Sequence, residues 1–257
     1  MRELTVLLVS VVASVGVADS APRGGQDAGT VSLLAGTIDI HVHAEPDSIP
    51  RSLDAVEAAR QVKASGMRAI VIKNHYEVTS GLAYIVRKEV PGVEIFGGVD
   101  LNLTVGGINA AAVEYMAATT WGFGRIVWMP TFDSENQVRF SQENRPFVSV
   151  SNGSALLPAV NEAIAVLAER NLVLATGHST PEEGLMLLRE GRRQGVGQIV
   201  VTHAMNEPVL MGVPLGPPLP SLPFVLSAKT ARARVWRLAG AASARCSASS
   251  RSACNRR

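Results

Sequence analysis

TIDIHVH, residues 37–43, is a β-branched run that ends in two imidazoles. Alternate residues of a strand share a face, so His41 and His43 point the same way. Two neutral imidazoles on one strand can share one borderline divalent ion such as zinc. An HxH pair alone is weak evidence, because it arises often by chance. Its weight depends on the rest of the chain.

Downstream of this strand the chain alternates between strand and helix. A helix is expected over Ser52–Ala64, with Leu53, Val56 and Ala59 on its apolar face and Gly66 after it. MRAIVIKNH (67–75) reads as the second strand, and a helix over 79–89 stops before Pro91. VEIFGGVDLN (93–102) is the third strand, with a helix over 109–118, and GRIVWMP (124–130) is the fourth. A polar stretch, 131–151, holds Asp133, Glu135, Arg139 and Arg145; loops of this length on such folds are often lids. A helix over 156–169 precedes the fifth strand, LVLATGH (172–178). Pro181 opens a helix to about 193, with Glu182 and Glu183 in its favourable first turn. QIVVTHA (198–204) is the sixth strand. The strands are short, Val/Ile-rich and not strictly alternating, which is the pattern of a buried parallel sheet. A doubly wound sheet and a TIM-type barrel both satisfy it.

The polar residues favour the barrel. His41 and His43, Lys73 and His75, His178 and His203 all end strands, and Asp100 ends the third. In a barrel those ends converge on one face, where the chemistry resides. The expected ligands are His41, His43, His178 and His203. His75, Lys73 and Asp100 are the expected catalytic groups, with Glu45 or Asp133 approaching from loops. Structural readings compete with these. The HxH pair could hydrogen-bond loop backbone, and His178 and His203 could be residues flanking a helix. His75 could ligate, bind substrate or cap a loop, and Lys73 could pair with Asp100 or Glu45 or bind an acidic substrate group. Trp128 and Met129 are expected in the pocket wall. Gly97-Gly98 and Gly106-Gly107 lack the spacing of a phosphate cradle and read as tight packing and turns.

DIHVH (39–43), TGHS (176–179) and VTHA (201–204) together resemble the metal-dependent amidohydrolase superfamily of TIM barrels, over roughly residues 33–210. IVIKNHYEVT (70–79) is similar to one subfamily of it. The resemblance implies His41 and His43 as first-strand ligands, His178 as the fifth-strand ligand and His203 as the sixth. Many members add a carboxylated lysine at the fourth strand, where this chain reads WMP; that implies one ion, most simply zinc, with Lys73 and His75 as the alternative for an unusual second position. The superfamily's eighth-strand Asp, a ligand and general base, has no counterpart, since no Asp follows Asp133. The implied function is a metal-dependent hydrolase acting on an amide, cyclic amide, ester or lactone through a metal-activated water. A metal-dependent decarboxylase of the same barrel type is the alternative, and an inactive or binding-only remnant is the third reading.

Composition bounds the rest. The chain has 257 residues, 47% of them apolar, which suffices for one sizeable core. Two Cys exclude a disulfide scaffold. Residues 208–257 carry eight Lys and Arg and no acid, so the other residues are net acidic, with 16 Lys and Arg against 22 Asp and Glu. That body has no basic cluster for nucleic acid. A small-molecule substrate is expected, and a homo-oligomer is compatible with the sequence. Residues 1–30 read as a leader and linker, with LTVLLVSVVASVGVA (4–18) resembling a signal peptide too short to favour a membrane span. With the leader functional the protein is secreted or periplasmic; with the leader a start-site artefact it is cytoplasmic. Residues 31–211 form the expected partial barrel of about six βα units. GVPLGPPLPSLP (212–223) has five Pro in twelve residues, and an Ala/Ser/Arg tail comes after it. The segment 212–257 is expected to be disordered, as after truncation or a frame shift near residue 212.

Overall fold

The computed structural model describes residues 33–210 and the strand at 224–227. The expectations for residues 1–30, and for 212–257 apart from that strand, lie outside the described residues. All six expected strands form: β1 (Ile38–Val42), β2 (Ala69–Ile72), β3 (Glu94–Asp100), β4 (Gly124–Trp128), β5 (Val173–Ala175) and β6 (Gln198–Thr202). A seventh, β7 (Phe224–Ser227), comes after the last proline of the Pro-rich segment and pairs with β6. The sheet order is β1-β2-β3-β4-β5-β6-β7, and every pairing is parallel.

The helices are α1 (Ala55–Ala64), α2 (Ser80–Glu89), α3 (Ala110–Ala118), α4 (Glu135–Phe140), α5 (Pro158–Glu169) and α6 (Pro181–Arg193). Local chemistry starts two of them clearly. Asp54 and Glu57 form a capping box at α1, and Thr180 and Glu183 form another at α6, where Pro181 occupies the first turn. The polar stretch 131–151 differs from a plain loop. It contains α4, capped by Ser134, and is tied down by the Ser134–Val148 bridge. No helix of the described residues is long and apolar enough to cross a membrane.

The sheet curls. Neighbouring strands lie about 4.8 Å apart, so β1 and β6 would stand about 24 Å apart in a flat sheet. The rings of His41 at β1 and His203 just past β6 nevertheless lie 5.0 Å apart between centroids. Inside the curve, Ile40, Val71, Phe96, Ile126, Trp128, Val173, Ala175 and Val200 draw on each of β1–β6 to form one apolar cluster. The opposite faces of the strands pack on the helices, with Ile70, Ile72 and Ile95 against α1 and α2, and Val127, Leu174, Ile199 and Val201 against α5 and α6. This is a curled, partial TIM-barrel-like fold. Gly98 shows how tightly its interior is filled, because a Cβ there would lie 2.4 Å from Trp128 Cζ3 and 2.3 Å from Ile126 O.

Candidate functional site

The site begins with an irregularity in β1. Asp39 pairs with Ile70 and Val42 with Ile72, so β1 carries one extra residue between them. A bulge of this kind shifts the side-chain phase. Ile40 faces the inner cluster, Val42 packs outward beside α1, and His41 and His43 both face the interior. The Asp39 carboxylate accepts from His41 N (2.9 Å) and holds the turn of the chain. The outcome is a 3.2 Å approach of His41 Nε2 to His43 Nε2.

The other imidazoles join them. His41 and His203 rings are 5.0 Å apart, and His203 and His178 are 5.1 Å apart. His43 stacks on His75 at 4.7 Å, and His75 stacks on Phe132 at 3.9 Å. All five histidines of the chain therefore line one wall at the C-terminal ends of the strands. His203 takes a left-handed conformation (φ 52°), which turns the chain sharply at the end of β6 and costs about 1–3 kcal/mol.

Beneath the imidazoles lies a buried polar network. Lys73 and Asp100 side chains have no exposure, and Lys73 Nζ donates to Asp100 Oδ2 at 2.5 Å. Of the partners open to Lys73 in the sequence, Asp100 takes it; Glu45 instead accepts from Arg51 N. Thr131 Oγ1 also donates to Asp100 Oδ2 (2.8 Å), and His75 Nδ1 lies 3.1 Å from the same oxygen. Asn102 Nδ2 donates to Thr131 Oγ1 (2.8 Å) and to His75 O (2.7 Å), while its Oδ1 accepts from Thr131 N (2.9 Å). The ends of β2, β3 and β4 are thus tied together. Asp133 joins this network through its backbone N–H, which donates to Asn102 Oδ1 (3.2 Å), while its carboxylate is turned to Arg145 and to Leu103 N. Trp128 forms the floor, with Lys73 Nζ 5.0 Å from its ring centroid.

Neither Asn102 nor Thr131 stands out in the sequence, and neither do Gln137 and Asn136 of α4. Gln137 Oε1 lies 2.8 Å from His178 Nδ1. An amide oxygen can only accept, so His178 donates from Nδ1 and keeps a lone pair on Nε2. Asn136 Nδ2 donates to His178 O (2.9 Å) and to Pro208 O (3.1 Å). The 131–151 stretch therefore covers and orients the fifth-strand histidine.

Burial and nearby charge favour the neutral form of four of the imidazoles, His41, His43, His75 and His178. Burial, then the Lys73 ammonium, pushes His41 well below its ordinary value and His43 down to about 2. Burial does the same to His178, followed by His203, and burial lowers His75 despite its bond to Asp100. Burial alone would raise Asp100, but the Lys73 ammonium and His75 outweigh it and hold the carboxyl below its ordinary range.

Neutral imidazoles are the protonation state that binds a metal ion. His178 Nε2 is buried and has no hydrogen-bond partner among the described residues, and the same is true of His43 Nδ1 and Asp100 Oδ1. Neutral imidazole nitrogens of this kind are chemically suited to a borderline divalent ion. The fit is one of chemistry and tautomer: among the described residues, no group of three or more His, Cys, Asp and Glu side chains forms a ready-made cage.

Residues 36–213 match the model of a protein family described as a family of unknown function (DUF6282). The chain belongs to that family. No curated protein matches it. Among solved structures it is similar to a histidinol phosphate phosphatase from Lactococcus lactis, crystallised with zinc, L-histidinol and phosphate. The two are 11% identical, with 64% of this chain and 84% of that one covered and a TM-score of 0.32, so the likeness is slight.

Proposed function

We propose that the protein is a metal-dependent hydrolase of a small amide, cyclic amide, ester or lactone, with one divalent ion, most simply zinc, held by His41, His43, His178 and His203. The observation that carries this is the meeting of imidazoles from β1 with those just past β5 and β6, together with a His178 Nε2 that is buried and has no hydrogen-bond partner among the described residues. A purely structural histidine is expected to have both ring nitrogens satisfied when buried. When bound, such an ion supplies a water acidic enough to ionise near neutral pH and a Lewis acid for the scissile carbonyl.

The chain's own groups supply positioning and proton handling. Lys73 and Thr131 both donate to Asp100 Oδ2, which fixes the carboxylate and keeps it ionised. Asp100 Oδ1 has no hydrogen-bond partner among the described residues and is the atom proposed to accept a proton in the reaction. His75, anchored through Nδ1 to Asp100 and Thr131, is proposed to orient the substrate beside His43. Phe132 stacks on one face of His75 and limits its rotation.

Elemental analysis of the purified full chain after zinc reconstitution tests the proposal. About one ion per chain is expected. His41→Ala with His43→Ala should abolish binding while leaving the far-ultraviolet circular dichroism spectrum in place. A folded wild-type sample that takes up no metal refutes the reading.

A further inference from the structure

A cavity of about 470 Å³ opens beside the imidazole cluster, lined by His43, Pro50, Arg51, Ser52 and Leu53. That volume suits a small molecule. Arg51 is the cation in its wall. Its Nε and Nη2 both lie 2.6 Å from Asp47 Oδ2, and the Asp47 side chain is fully buried. The guanidinium is thereby clamped in one orientation, with its side chain only 17% exposed. The clamp uses one edge of the fork, and Arg51 Nη2 makes no well-aligned hydrogen bond despite its burial. Lys73 is turned to Asp100 below the imidazoles and leaves Arg51 to set the charge of this wall.

We infer that this cavity is the substrate's recognition subsite and that Arg51 binds a carboxylate carried by the substrate. The inference rests on the hydrolase reading and names its substrate class. Asp47 offsets part of the guanidinium charge, so a singly charged carboxylate matches the wall better than a doubly charged phosphate. The part of the guanidinium not turned to Asp47 can donate a charge-assisted hydrogen bond to a carboxylate oxygen. Pro50 and Leu53 supply apolar contact for the rest of the molecule. His43 belongs both to the cavity and to the imidazole cluster, so carboxylate and reacting carbonyl sit one side chain apart. The class is therefore a short acylamino acid or a cyclic amide with its carboxylate close to the scissile bond. The field of Arg51 reaches the cluster as well, where it disfavours the charged forms of His43 and His75.

Isothermal titration of the full chain with N-acetylglycine and its neutral analogue N-acetylglycinamide tests this, in zinc-loaded and metal-free protein. Wild type should prefer the acid. Arg51→Met should weaken the acid about tenfold or more and the amide less than about twofold, as for the loss of one charge-assisted bond. Arg51→Lys should keep part of the preference. Arg51→Met strands the buried Asp47, so Arg51→Met with Asp47→Asn repeats the comparison without that charge and should show the same selectivity loss. Equal losses for acid and amide, a wild type without preference in either form, or inorganic phosphate binding more tightly than N-acetylglycine through Arg51 would each overturn the inference. Zinc content separates the two readings. A chain that holds zinc but ignores the carboxylate refutes only the subsite. A chain that takes no zinc refutes the hydrolase reading, and the metal-free titration still decides Arg51.

Discussion

Replacing Lys73 by Met isolates the electrostatics of the buried network. Met fills nearly the volume of Lys and can keep its contact with the Trp128 ring, so little cavity is created. What disappears is the ammonium 2.5 Å from Asp100 Oδ2. Thr131 and His75 remain beside the carboxylate, but neither carries a compensating charge. Breaking a buried pair on one side leaves an uncompensated charge and is expected to cost about 3–5 kcal/mol near neutral pH. Removing the second charge as well, with Asp100→Asn, should recover most of that and leave about 1–2 kcal/mol for imperfect hydrogen bonding. The pH dependence carries a sign. In the wild type the Asp100 pKa is lowered, so its contribution is present above the unfolded value and is lost only as pH falls through the folded one. In Lys73→Met the burial is opposed only by the hydrogen bonds of Thr131 and His75 and raises that pKa, so the variant loses stability as pH rises through it. The gap between wild type and variant should therefore narrow on going from about pH 8 to about pH 5, and loss of the Lys73 charge that also depresses His41, His43 and His178 adds to the narrowing. Urea unfolding of the full chain at several pH values measures all of this. A penalty under about 1 kcal/mol, a double variant no more stable than the single one, or a gap that widens in acid would refute the reasoning.

The neutral histidines predict acid sensitivity of the wild type. His41, His43 and His178 have depressed pKa values, so the unfolded chain binds protons that the folded one does not, and stability should fall as pH drops below about 6.5. The slope is about 1.4 kcal/mol per pH unit for each histidine held neutral, and a flat stability profile between about pH 7 and pH 5 would contradict it. Gly98→Ala should destabilise by about 1–3 kcal/mol, because one of the two clashing atoms is a backbone carbonyl oxygen that cannot swing away; thermal unfolding checks it. Gln137→Leu should lower zinc affinity about 10–100-fold with little change in stability, since it removes the acceptor that sets the His178 tautomer. Unchanged affinity by competition with a chelator would show that α4 does not orient the ligand.

The barrel is legible in the sequence because its strands are apolar and their ends are charged or imidazole-bearing. That rule overruns where the boundary blurs. Lys73, Asn74 and His75 look like the end of the second strand, yet β2 stops at Ile72 and those residues belong to the polar rim. The convergence of His41, His43, His178 and His203 comes from topology. The bulge in β1 does not, because an extra residue in a five-residue strand leaves no mark in an apolar pattern. Asn102, Thr131 and Gln137 escape notice for a different reason. They are uncharged, lie in loops or a short helix, and gain meaning only from partners about 30 to 40 residues away. The glycine pair at 97–98 reads as close packing, a prohibition that contact with Thr79, Ser80, Ile126 and Trp128 makes explicit.

These inconspicuous residues explain how a partial barrel can hold a defined site. A closed barrel fixes its strand ends by the shear of a continuous sheet. Here, among the described residues, β1 and β7 are not paired, so closure does not fix them. Side chains act instead. Lys73, Asp100, Thr131 and Asn102 bind the ends of β2, β3 and β4 into one buried unit, and Trp128 fills the space beneath them against Gly98. On the other flank, Asn136 and Gln137 tie His178 to α4 and to the segment after β6. The imidazoles of β1 and β6 then meet between two braced groups. The geometry of the imidazole cluster therefore depends on uncharged partners as much as on the histidines, and weakening Asn102 or Asn136 should loosen the site before it unfolds the sheet.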